Sequence, residues 1–228
     1  MDYANHLVFG IYPYVALGIF LLGSLIRFDR EQYSWKSDSS QLLRTRQLRW
    51  GSNLFHVGVL FLFFGHAAGL LTPHWLYESL GLSTPNKQML AIISGGAAGL
   101  LCLSGITLLL HRRLTDERIR INSKPMDIII LLWVFVTLVI GLISILFSLQ
   151  HTDGGVMLQL AGWAQHIVTF RAGAADFMLT VPPIYKIHLM FGMTLFVLFP
   201  FSRLVHVWSG FAAVTYITRS YQVVRQRG

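Results

Sequence analysis

Residues 53–71 read NLFHVGVLFLFFGHAAGLL, an apolar run interrupted by two histidines, His56 and His66. A hydrocarbon core of about 30 Å is crossed by roughly 20 helical residues, so this run is long enough to span a bilayer. In lipid every backbone polar group must be satisfied within the segment, which makes the run a helix. A second run, Ile184 to Trp208, has the same character and carries His188 and His206. Imidazoles at membrane depth are costly and mark a site, so these two runs set both the fold class and the place to look for chemistry.

Outward from them lie three further runs, Leu7 to Ile26, Met89 to Leu110 and Asp127 to Leu149. The expectation is an all-α integral membrane protein of five transmembrane helices, at about 7–26, 53–71, 89–110, 127–149 and 184–208, in one domain over residues 1–228. No repeat of 20 to 50 residues and no low-complexity linker divides it. Composition agrees: 54% of residues are hydrophobic, 12% are charged and the mean hydropathy is +0.57, values a water-soluble domain rarely tolerates.

The net charge of +8 raises the question of nucleic acid, and the distribution of basic residues answers it. Arg27, Arg30, Lys36, Arg44, Arg46 and Arg49 fall in the first loop, Arg112, Arg113, Arg118, Arg120 and Lys124 in the third, and Arg203, Arg219, Arg225 and Arg227 at or beyond the end of the last run. Fifteen of the eighteen basic residues are therefore on one side. By the positive-inside rule the amino terminus is expected outside and the carboxyl terminus in the cytoplasm, and the charge reports topology and not nucleic acid. The first run lacks a basic flank and a small-residue cleavage site, so it is expected to stay in the mature protein, with Pro13 as a helix start. Cys102 lies inside an apolar run and reads as a small buried hydrophobe. In the long loop 150–183, Val156 to Phe170 is too short to span; with Trp163, Gln165 and His166 it is expected to lie on the membrane, apolar face down.

Five histidines, His6, His74, His111, His151 and His166, fall at run ends or in loops. The other four pair by level. Antiparallel second and fifth helices put His56 with His206 near the cytoplasm and His66 with His188 near the outer face. A haem with two axial histidines takes one from each of two facing helices, so four histidines imply two haems b. The ten-residue and eighteen-residue steps differ, about 15 Å against about 27 Å along an ideal helix. Tilt, or a kink at Pro200, is expected to absorb the difference. Gly58, Gly65, Gly69 and Gly192 flank the ligands and would clear room for a flat macrocycle, although small residues also serve plain helix packing. Arg203 lies one turn from His206 and needs an anion; apart from Asp127 at the mouth of the fourth run the spans offer no clear carboxylate, so a haem propionate is a candidate. A zinc site fits less well, because four ligands spread over such depths cannot converge within about 2 Å of one ion. A proton-conducting histidine chain would ordinarily include carboxylates at membrane depth.

Longer runs are more specific than the four histidines. Ile11-Tyr-Pro-Tyr14, Ser52-Asn-Leu-Phe-His56 with Gly65-His66, Leu71-Thr-Pro-His-Trp75, Gly162-Trp-Ala-Gln165, His188-Leu-Met-Phe-Gly-Met-Thr-Leu195 and Phe199-Pro-Phe-Ser-Arg-Leu204 together resemble the gamma subunit of respiratory nitrate reductase nearly end to end. The resemblance implies a di-haem cytochrome b of the bacterial cytoplasmic (inner) membrane that oxidises quinol at the outer face. It implies electrons passing inward to an iron–sulfur beta subunit and on to a molybdenum alpha subunit that reduces nitrate. Carried onto this sequence, His66 and His188 would hold the outer haem, His56 and His206 the inner one, and Lys87 would join Gly65 and His66 at the quinol site. Two other readings stand beside this one. One is a cytochrome b of another quinone-linked reductase, acting on a sulfur compound or heterodisulfide; the other is a histidine-bearing transporter.

Overall fold

The computed structural model describes residues 3–31, 43–150 and 152–208. Lys36, His151, Arg219, Arg225 and Arg227 lie outside the described residues. Among those described there is no strand, and five helical segments are long and apolar enough to cross a membrane: Tyr3–Arg30, Thr45–Leu71, Thr84–Thr115, Pro125–Ser148 and Pro183–Phe201. The protein is an all-α membrane protein. Its main helices are α1 (Tyr12–Glu31), α2 (Thr45–Leu71), α3 (Thr84–Thr115), α4 (Pro125–Ser148), α5 (Gly155–Val168) and α6 (Pro183–Leu198). Pro85, Pro125 and Pro183 open α3, α4 and α6, where a missing amide donor costs nothing.

The first span differs from the expected one. A short helical turn, Tyr3–His6, and a π-helical turn, Leu7–Ile11, precede α1, so Pro13 lies well inside the span and not at its start. Proline cannot donate to the carbonyl four residues back. The indole Nε1–H of Trp163 donates to that carbonyl, on Phe9, at 2.9 Å. The wide turn and the borrowed donor together let the proline pass.

α2 packs along α3, α3 on α4, and α6 on both α4 and α1. The α2–α3 seam is built from small residues. A Cβ at Gly58 would come within 2.6 Å of the Cys102 backbone, and one at Gly105 within 2.3 Å of the Phe55 backbone. Gly58 thus serves close helix packing and does not clear space for a macrocycle, correcting the sequence reading for that residue. Cys102 is buried there as expected. Away from the seam, Phe61, Phe63 and Phe64 are 66%, 60% and 65% exposed, as suits a face turned to lipid.

The loop after α4 folds into α5, entered through Gly154 at φ 82°, and then into a 3-10 turn, Ala174–Met178, entered through Gly173 at φ 81°. Much of the apolar face of α5 meets protein, while Leu158 and Val168 stay exposed. Ala161, Trp163, Ala164 and Ile167 bury against Phe9, Ala16, Met178, Tyr185 and Met193. Gln165 Nε2 donates to the carbonyls of Leu70 (3.1 Å) and Thr72 (3.4 Å), tying α5 to the end of α2. The expected membrane-surface helix is therefore a cap over the bundle.

Candidate functional site

The four intramembrane histidines form two facing pairs, His66 with His188 and His56 with His206, each with ring centroids 6.1 Å apart. The level pairing expected from the sequence is the geometry observed. The backbone also resolves the unequal steps: α6 ends at Leu198, and 3-10 turns at Phe199–Phe201 and Arg203–Val205 redirect the chain around Pro200 before His206.

The rings are oriented by their own backbone. Nδ1 of His56 donates to the Ser52 carbonyl at 2.7 Å, Nδ1 of His66 to the Leu62 carbonyl at 2.7 Å, and Nδ1 of His206 to the Arg203 carbonyl at 2.6 Å. A proton held at Nδ1 leaves Nε2 with the lone pair, the nitrogen a metal would take. His188 differs: its Nδ1 is buried beside the backbone of Thr137, outside hydrogen-bond geometry. Its ring also rests on Gly141, where a Cβ would lie 2.7 Å from Cε1. Between the two levels Trp133 stacks on Phe191 at 4.6 Å and donates Nε1–H to its carbonyl at 3.0 Å, fixing α4 to α6.

The spacing can be tested against a bound metal. A metal–nitrogen bond of about 2 Å on each side, with roughly 1 Å from nitrogen to ring centre, puts two coaxial imidazole centres roughly 6 Å apart. Both pairs meet that distance. Among the described residues no three His, Cys, Asp or Glu side chains converge, so each pair offers a metal two histidine ligands. A Cβ at Gly65, Gly69 or Gly192 would meet nothing within 4 Å, which leaves open space along the ligand-bearing helices. The residues present fit two bis-histidine haems.

Lys87 lies in the first turn of α3, not in a loop, and is buried. Its Nζ donates to the Gly69 carbonyl at 3.0 Å and sits 4.0 Å from the Tyr77 ring centroid. Gly69 follows His66 by one turn, so Lys87 is tied to the end of α2 that carries Gly65 and His66, the end α5 also binds through Gln165.

Arg203 engages the Asp127 carboxylate with two prongs, Nε to Oδ1 at 2.8 Å and Nη2 to Oδ2 at 2.5 Å, and Arg113 joins at 3.3 Å. Arg203 is thus paired with the carboxylate at the start of α4, the one carboxylate the sequence offered near the spans. Sequence reasoning also passed over Gly141, a lone glycine within an apolar span, and Arg27, which looked like one topology charge among many. The remaining described histidines have ordinary settings. His74 contacts Glu78 at 3.1 Å, His111 contacts Gln47 at 3.1 Å, and His166 donates to the Gly162 carbonyl at 2.9 Å.

Fold and site define a five-span helical membrane protein with two stacked pairs of facing histidines between its second and last spans. The family model described as nitrate reductase gamma subunit matches residues 5–227. The chain belongs to that family, whose members are subunits of an oxidoreductase complex. It is 49% identical to the respiratory nitrate reductase 1 gamma chain of Escherichia coli (strain K12), over 100% of both chains. It is 38% identical to the nitrate reductase gamma chain of Bacillus subtilis (strain 168), over 98% of this chain and 99% of that one. The nitrate reductase-like protein NarX of Mycobacterium tuberculosis is 32% identical over 99% of this chain, which covers 34% of that longer protein.

Proposed function

We propose that this chain is the quinol-oxidising subunit of a respiratory nitrate reductase in the bacterial inner membrane, with its amino terminus outside and its carboxyl terminus in the cytoplasm. His66 and His188 would hold an outer haem b, and His56 and His206 an inner one. The two haems, when bound, supply a relay for single electrons across the membrane. The electrons would leave to an iron–sulfur beta subunit and a molybdenum alpha subunit at the cytoplasmic face. The observation that carries the reading is the identical 6.1 Å spacing of the two histidine pairs, stacked along one bundle.

The chain's own groups suit quinol at the outer end. A quinol losing two electrons also loses two protons, which must leave toward water. Lys87 spends one N–H on Gly69, and an ammonium has three to give. Its charge favours the anion that develops as a phenolic proton departs. Gly65 keeps the face beside His66 open for a ring arriving from lipid. α5 covers this end, and its tie to Leu70 and Thr72 limits where water enters.

Anaerobic mixing of the purified complex with a soluble quinol, followed through the b-type absorption bands, tests the reading. Reduction of both haems, reversed by nitrate, is expected. A dithionite-reduced sample without b-type bands contradicts it.

A further inference from the structure

His206 stands beyond a helix break that the structure holds from two sides. After Leu198 the chain runs through two 3-10 turns separated by an extended Ser202 at φ −119°, ψ 177°. Such a break takes carbonyls out of the helical ladder, and in a bilayer they need other donors. Arg27, near the end of α1, supplies them: its Nη1 donates to the carbonyls of Pro200 at 2.7 Å and Ser202 at 2.8 Å. Gly23, one turn earlier, seats Pro200, since a Cβ there would lie 2.8 Å from its Cγ. On the other side Asp127 grips the Arg203 guanidinium, and the Arg203 carbonyl accepts the Nδ1–H of His206.

We propose that Arg27 and Asp127 are positioning residues for His206, and so for the inner cofactor, an inference that rests on the haem reading above. The need is geometric. In unbroken helices the two ligand steps are about 15 Å and about 27 Å long, so an unbroken last helix would carry His206 beyond the level of His56. The break restores the pairing, and it must be held in one conformation for the His206 ring to meet His56 at 6.1 Å. Arg27 is thus more than a charge that sets topology. Arg30, three residues on and exposed, contributes the same charge without the two carbonyls.

The test compares Arg27→Gln, Arg27→Lys, Asp127→Asn and Arg30→Gln with wild type in the assembled complex. The readouts are haem content, redox titration and low-spin paramagnetic resonance. Arg27→Gln and Asp127→Asn are expected to displace or remove the inner-haem signal while the outer-haem signal stays, which also shows that the chain has folded. Arg27→Lys, which keeps the charge but places its nitrogen one bond short of where Nη1 bridges the two carbonyls, is expected to displace the inner signal and decides the matter if Arg27→Gln does not assemble. Arg30→Gln is expected to match wild type. An inner-haem signal unchanged in Arg27→Gln and Asp127→Asn, or equal loss of both haems in all four variants, overturns the inference alone. A wild type without two haems removes the haem reading and the inference with it.

Discussion

His188 rests directly on Gly141: a methyl group on that glycine would lie 2.7 Å from Cε1 of the ring and 3.3 Å from both nitrogens. Real Cβ contacts are not that short, so Gly141→Ala must shift the imidazole from the place where it faces His66. The expected outcome is a displaced outer-haem signal with an unchanged inner one. Gly18→Ala, on α1 with a Cβ that meets nothing within 4 Å, is the comparison for fold stability and is expected not to lower the thermal midpoint.

Trp163→Phe keeps most of the buried ring but removes the donor to the Phe9 carbonyl. That carbonyl lies four residues before Pro13. Leaving a buried carbonyl unpaired costs about 1–3 kcal/mol. A lowered thermal midpoint of the purified complex is expected, together with faster proteolysis near the amino-terminal turn, while both haems remain.

Asp127→Ala leaves Arg203 and Arg113 facing each other in a partly buried setting with no carboxylate between them. Breaking a buried ion pair by removing one partner costs roughly 3–5 kcal/mol, because a charge stays behind uncompensated. Denaturation in detergent is expected to show a loss in that range. Asp127→Asn, which retains a hydrogen-bond acceptor, is expected to lose less.

Lys87→Ala removes the ammonium that binds the Gly69 carbonyl, one turn along α2 from His66. Quinol-driven reduction is expected to slow by roughly 10²-fold or more, the usual size of losing one electrostatic contact to a developing anion. Reduction by dithionite is expected to be unaffected. Stopped-flow absorbance with the two reductants separates the cases, and equal slowing with both would place Lys87 in the structure of the haem site instead.

The parts of this molecule that follow from periodicity and solvent were legible in the sequence. Length and hydropathy located the five spans, although the second begins earlier, at Thr45, and the fifth ends earlier, at Phe201, and membrane depth singled out His56, His66, His188 and His206. What escaped depended on contacts between distant segments. Pro13 looked like a helix start because nothing local says that Trp163 will donate to Phe9. Gly58 and Gly65 look alike in sequence, yet one packs on Cys102 and the other faces open space. Arg27 and Arg30 look interchangeable until the break around Pro200 gives one of them two carbonyls to bind. Val156 to Phe170 has an apolar face that lipid or protein could cover; the core of Phe9, Met178 and Tyr185 covers it.

The central claim is that the histidines act in two pairs, His66 with His188 and His56 with His206. Its most direct test is a redox titration of b-type absorbance in wild type and the four single His→Ala variants. Wild type is expected to titrate as two components. His66→Ala and His188→Ala are expected to lose one and the same component, and His56→Ala and His206→Ala the other. A single component in wild type, or loss of different components in His66→Ala and His188→Ala, would contradict the pairing.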